Sequence, residues 1–233
     1  MARSRKKGKL IVIDGTDGSG KATQTDLLLK RFKKEGLLVK KLDFPRYEDN
    51  FFGKFIGECL AGEHGDFVSL DPRIASSLYA FDRFETKPLI EKWLSAGYTV
   101  ILDRYVSSNQ IHQGGKILDS KARKKFLLWL DTLEFGILGL PRPDAILYLD
   151  VPLSVTERLL VSKGQQEKKV YLTGKKKDTV ENSQKYLSES RESALGLVKK
   201  QNNWIRISCT KKGEMLSREE VALLVWENVR KIV

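Results

Sequence analysis

Uninterrupted apolar runs alternate along this chain with stretches whose apolar residues recur every three or four positions. Leu10 to Ile13 is wholly apolar and short, which suits a strand buried on both faces of a parallel sheet. Lys21 to Glu35 places Leu27, Leu28 and Phe32 on one side, a helix that Gly36 ends. Leu37 to Phe44 reads as the second strand, closed by Pro45. A short helix over Phe51 to Leu60 is followed by Asp71-Pro72, an N-cap with proline at the first helical position. Helices are then expected over Arg73 to Phe84 and over Pro88 to Ala96, the second stopping at Gly97. Thr99 to Tyr105 is the third strand, and Ser120 to Phe135 a helix. Leu140-Pro-Arg-Pro-Asp144 leads rigidly into the fourth strand, Ala145 to Asp150. Helical stretches follow over Ser154 to Lys163 and Thr179 to Lys200, with a fifth strand at Trp204 to Ser208. Ser217 and Glu220 form a capping box that opens a last helix to about Lys231. Strands alternating with helices predict a three-layer α/β fold around a parallel sheet. Without an internal repeat or linker, residues 1–233 read as one domain.

Composition narrows the class. The chain of 233 residues is 41% apolar, enough for a sizeable core, and no run approaches the length of a membrane span. Cys59 and Cys209 lack metal-ligand spacing and argue for a reducing compartment, hence the cytoplasm. The basic start, residues 1–8, precedes an apolar run too short for a signal peptide. Net charge is +12, with lysines clustered in the tail, in Lys121 to Lys125 and in Lys163 to Lys177. Such clusters without interleaved aromatics are usually solvated faces, which disfavours nucleic-acid binding as the main role.

The candidate chemistry is concentrated after the first strand. Gly15-Thr16-Asp17-Gly18-Ser19-Gly20-Lys21 matches the spacing of a phosphate loop. Glycines let the backbone wrap an anion, amide N–H groups and the helix N-terminus face it, and Lys21 adds a point charge. Arg46 and the pair Asp103-Arg104 lie at strand ends, where open parallel sheets bind ligands. Arg83 lies on a helix, and Ser107 to Gly115 is rich in side chains that both donate and accept hydrogen bonds. The segment Gly164 to Asp178 is polar, lysine-rich and bounded in glycine, the composition of a lid. Enough cations are present for a second phosphate besides the one on Lys21. A phosphorylated acceptor brings its own anionic nucleophile, so no general base is needed.

In combination, these motifs resemble those of the thymidylate kinases. The likeness rests on the Asp14-Gly-Thr-Asp-Gly-Ser-Gly-Lys21 loop, Phe44-Pro45-Arg46, Ala80-Phe-Asp-Arg-Phe-Glu85 and Asp103-Arg104-Tyr105 with Ser108 and Gln113-Gly114-Gly115. It extends to Leu140-Pro-Arg-Pro-Asp144 and covers nearly the whole chain. The resemblance implies a five-stranded parallel sheet with a lid over residues 163–178, usually in a homodimer. It implies transfer of the terminal phosphoryl of ATP to dTMP with Mg²⁺, in the supply of dTTP. It further implies that Asp17 lies near the acceptor's 3′-hydroxyl, and that Arg46 and Arg104 bind the acceptor phosphate. By the same likeness Tyr79 stacks on thymine, Arg83 bonds its edge, and Ser108, Asn109 and Gln113 complete the pocket with Phe44 and Pro45. Lys21, Asp103 and Arg104 form the catalytic set, with Asp103 helping to place magnesium.

Two positions and one segment depart from the family pattern. Gly18 stands where some members carry a loop arginine, and lysines replace arginines between Arg158 and Arg191, so Arg158 is the candidate for that cation. Ala22 replaces the usual Ser or Thr after the loop lysine, which leaves Thr23 to meet the metal. The alternatives are a kinase for another nucleoside monophosphate, or a basic phosphate-loop protein that binds nucleotide or nucleic acid without this turnover.

Overall fold

The computed structural model describes residues 7–153, 155 and 184–233. The helix expected from Ser154, the lid at residues 163–178, Arg158 and most of the basic tail lie outside the described residues. Five strands form one parallel sheet, β1 (Leu10–Gly15), β2 (Val39–Asp43), β3 (Thr99–Asp103), β4 (Ala145–Asp150) and β5 (Trp204–Ser208), in the order β2-β3-β1-β4-β5. Every pairing in it is parallel.

Each strand feeds two cores, because successive side chains point to opposite faces. Leu10, Val12, Val100, Leu102, Ile146 and Tyr148 face one side, and Ile11, Ile13, Ile101, Leu147 and Leu149 the other. Helix α1 (Lys21–Lys34) covers the second face with Leu28 and Phe32. The first face takes α3 (Pro72–Ser95), α4 (Val106–Gly115), α5 (Ser120–Asp131) and α6 (Gln184–Lys200). α2 (Phe51–Ala61) packs on α3, and α7 (Arg218–Val229) lies beside α1. β1 and β3 are neighbours, yet α1 leaves β1 over one face and α4 leaves β3 over the other. The two chains diverge at the carboxyl ends of the strands and open a crevice there.

Several elements differ from the sequence reading. α3 is one helix of 24 residues with Pro88 inside it, not two helices. An interior proline removes one hydrogen bond and costs about 3 kcal/mol. The buried row Ala80, Arg83, Thr86, Ile90 and Leu94 seats both halves on the same core and holds them in line. The segment beginning at Ser107 is a helix despite its polarity, and nearly all of it is buried. It lies close against α6: a Cβ on Gly115 would come within 3.0 Å of the Ser190 backbone. The helix expected to end at Phe135 stops at Asp131 and continues as a π-helical turn, Thr132–Ile137. β3 ends at Asp103, because Arg104 has φ of 67° and turns the chain. A hairpin of β6 (Thr210–Lys211) and β7 (Glu214–Met215) turns through Lys212 and Gly213, both with positive φ. The Asp71 cap and the Ser217–Glu220 capping box form as expected.

Candidate active site

The phosphate loop leaves the end of β1 with Gly18 and Gly20 at φ of 81° and 88°, values that glycine adopts without strain. Gly15 is held by space as well: a Cβ there would lie 2.5 Å from Ser19 Oγ and 3.0 Å from the Leu149 carbonyl. Lys21 opens α1 and curls back, donating to the carbonyls of Gly15 at 3.0 Å and Thr16 at 2.9 Å. Burial, then the nearby Arg104, lower its pKa to about 8. An ammonium so poised gains most from an anion held by the same loop. The Ser19 hydroxyl is buried without a partner among the described residues, a further donor inside the cradle. Ala22 is exposed and Thr23 half-buried in the first turn of α1.

Arg104 stands between this loop and the crevice. Its guanidinium pairs with Asp17, which also lies 3.7 Å from Lys21 Nζ, and its Nη1 sits 3.2 Å from His112 Nε2. Burial opposes the charge on Arg104, but the carboxylates of Asp17, Asp14 and Asp103 outweigh it and raise its pKa. A non-glycine residue at positive φ costs about 1–3 kcal/mol, the kind of strain that clusters at functional sites. The Arg104 N–H is nonetheless bonded to the Ile13 carbonyl at 3.1 Å, which fixes the strained turn to β1. Burial and then Arg104 lower the pKa of His112 to about 4, so this ring is neutral at pH 7. Neutral Nε2 therefore accepts from Arg104, and the imidazole proton resides on Nδ1.

Asp14, to which the sequence assigned no role beyond the loop motif, is next to last in β1 and fully buried. It accepts from Ser107 Oγ at 2.6 Å, from Ser108 Oγ at 2.8 Å and from the Gly15 N–H at 2.8 Å. Its signal in the sequence is a lone acid closing an apolar strand just before a glycine loop. Asp103 ends the neighbouring strand, in register with Ile13, and burial raises its pKa against the pull of Lys21 and Arg104. Two buried carboxylates at adjacent strand ends suit a cation that takes one or two carboxylates and completes its shell with phosphate oxygens and water. Among the described residues no cluster of three His, Cys, Asp or Glu side chains forms a closed metal site.

The crevice beside Arg104 is an open cleft with about 780 Å³ of free space. Of the residues singled out in the sequence, Asp17, Phe44, Pro45, Tyr79, Arg83, Arg104, Ser108, Asn109 and Gln113 line it together. Arg46 does not line it: its Nη2 pairs with Asp49 at 2.9 Å and its backbone N–H rests on Asp82. The structure adds Tyr47, His112 and Tyr186, with Tyr186 stacked on His112. It also adds Glu134, behind the cleft, which takes a bidentate pair from Arg83. Burial pushes the Glu134 pKa up, while Arg83 and the bonds from Arg83 and Asn109 pull it back. An acid among the apolar residues at the end of α5 was the available signal for it.

The family model for thymidylate kinase matches residues 13–220. The chain belongs to the thymidylate kinase family. Members of this family are enzymes that phosphorylate dTMP with ATP, on a phosphate-loop α/β fold. The chain is 40% identical to the thymidylate kinase of Mycobacterium tuberculosis over 136 residues, 58% of this chain and 62% of that protein. It is 30% identical to the Schizosaccharomyces pombe enzyme over 193 residues, 82% of this chain and 83% of the relative. A thymidylate kinase structure from Candida albicans superposes with a TM-score of 0.71 at 26% identity, covering 97% of this chain and 92% of that one. The five-stranded parallel sheet with its flanking helices is thus that of a thymidylate kinase fold.

Proposed function

We propose that this protein transfers the γ-phosphoryl group of ATP to dTMP, giving dTDP and ADP, in the supply of dTTP. The observation that carries this reading is the junction at Arg104. A glycine loop ending in Lys21 and a cleft lined with cations meet there, bridged by the Arg104–Asp17 pair. Two phosphates held on either side of that pair lie end to end, as in-line transfer requires. The acceptor phosphate oxygen is the nucleophile, so the protein's tasks are alignment and neutralisation of charge. Lys21 and the loop N–H groups hold the donor phosphates. Arg104 holds the acceptor phosphate and balances charge on the transferring group. Asp17 orients Arg104 and sits near the acceptor's sugar. Tyr79 stacks on the base, while Arg83, Ser108, Asn109 and Gln113 line its pocket with Phe44 and Pro45. Arg46 serves the acceptor phosphate only by leaving Asp49.

Asp14 and Asp103, with Thr23 from the first turn of α1, are the residues that would hold Mg²⁺, which neutralises phosphate charge when bound with ATP. Arg158 supplies a further cation from the segment leading into the lid at 163–178, which excludes water over ATP. The apolar face formed by Phe51, Ile74, Phe81 and Phe84 on α2 and α3 is exposed and supports a homodimer through those helices. The free thiols Cys59 and Cys209 support a cytoplasmic setting, and no helix among the described residues is long and apolar enough to cross a membrane. A coupled ADP-release assay across dTMP, dUMP, dCMP, dGMP and AMP tests the reading. A clear dTMP preference is expected; equal rates across the panel would overturn it.

A further inference from the structure

We infer that Glu134 is a positioning residue that decides which pyrimidine edge the acceptor cleft takes, an inference that rests on the acceptor reading above. Glu134 is fully buried in the π-helical turn, and its carboxylate oxygens accept from three N–H groups. Oε2 takes Arg83 Nε and Oε1 takes Arg83 Nη2, both at 2.6 Å. Oε1 also takes Asn109 Nδ2 at 3.2 Å. Asn109 donates its other amide hydrogen to the Ser76 carbonyl at 3.2 Å.

Both partners of Asn109 Nδ2 are acceptors, so its amide has one orientation. The NH₂ group is turned inward and Oδ1 is left to the cleft. Arg83 directs three of its five N–H groups to protein oxygens, two on Glu134 and one on the Tyr105 carbonyl at 3.4 Å. The remaining N–H groups belong to a side chain that lines the cleft. The cleft therefore offers a donor from Arg83 and an acceptor from Asn109. That pattern matches a ring carbonyl next to a ring N–H, which is the C4 carbonyl and N3–H edge of thymine and uracil. Cytosine reverses both positions: its amino group meets Arg83, and its bare N3 meets the Asn109 oxygen. Buried polar groups left facing their own kind are expensive, so the reversed edge is rejected. Glu134 touches no substrate in this scheme. It sets the pattern by being an acceptor to both neighbours at once.

The test is E134Q. A glutamine oxygen in the place of Oε1 still accepts from Arg83 Nη2 and Asn109 Nδ2, but the glutamine NH₂ then faces Arg83 Nε, so the guanidinium loses its bidentate seat and its free N–H groups no longer hold their place in the cleft. Steady-state kcat/KM is measured for dTMP, dUMP and dCMP by ADP release at saturating ATP. The dTMP to dCMP ratio is expected to fall at least about tenfold in E134Q, through KM for dTMP. The dTMP to dUMP ratio and the KM for ATP are expected to hold, because dUMP presents the same edge and ATP lies across Arg104. An unchanged dTMP to dCMP ratio in E134Q overturns the role of Glu134 alone. A wild-type enzyme with no preference for dTMP over dCMP overturns the acceptor reading and this inference with it. If E134Q does not fold, as judged by circular dichroism, E134D and N109A decide. E134D keeps an acceptor-only carboxylate and should retain the ratio, whereas N109A should lose it; the opposite result for either overturns the inference.

Discussion

The phosphate loop, Gly15 to Lys21, is one contiguous run whose anion-binding groups are mainly backbone N–H. The acceptor cleft next to it draws its polar side chains from the loop, from the segments after β2 and β3, and from α3, α4 and α6 with the turn after α4, and is braced from behind by the π-helical turn. The loop works through conformation: three glycines and one lysine suffice, and substitution there meets either strain at Gly18 and Gly20 or a clash at Gly15. The cleft works through pairing. Arg83 is fixed by Glu134, Asn109 by Glu134 and Ser76, and Arg104 by Asp17 and His112. A backbone cradle is general for phosphate, while a network of oriented side chains can tell one base from another.

Breaking the halves apart tests the contrast. Lys21→Ala is expected to lower kcat/KM on the order of 10³-fold, since it removes the loop's one cation. Calorimetric titration should show dTMP affinity close to wild type in this variant. A parallel loss of dTMP affinity would mean that the two halves are not built separately. Arg104→Ala is expected to cost on the order of 10²-fold and, unlike Lys21→Ala, to weaken both ligands, because Arg104 stands on the boundary. Loss confined to one ligand would move Arg104 into that half.

A smaller effect separates the halves by pH. His112 has a pKa of about 4 in the native protein, below its ordinary value of 6.5. As pH falls below about 6.5 the unfolded chain takes up a proton at this residue and the native protein does not. Stability is therefore lost between about pH 6.5 and 4, and fully present above that window. Between pH 7 and pH 5 the loss is about 2 kcal/mol. Urea unfolding of the wild type and of H112Q at the two pH values should differ by that amount. Equal pH dependence in the two proteins would remove His112 from the buried network.

The phosphate loop was readable because it needs only consecutive residues, and the five strands because each is a short apolar run buried on both faces. α3 was harder. Local rules break a helix at Pro88, and only the core beneath Arg83, Thr86 and Ile90 shows why the helix continues. α4 was hidden for the reverse reason: a polar sequence looks exposed until Gly114 and Gly115 let it press against α6. Arg83, Asn109 and Gln113 could be nominated from the sequence, but not their orientation, which belongs to partners tens of residues away. Glu134 and Asp14 carried weak signals, each a single acid in an apolar context, because a carboxylate's value depends on who donates to it.

The sheet, the phosphate loop and the family were legible in the residues alone, since periodicity, glycine placement and short-range spacing act along the chain. The acceptor half depends on tertiary contacts: Arg46 rests on Asp49, Arg104 pairs with Asp17 of the phosphate loop, and Glu134 with the Ser76 carbonyl holds the Asn109 NH₂ inward. Hydrogen-bond direction inside a buried network is a property of all its members at once. No one stretch of the chain contains them all.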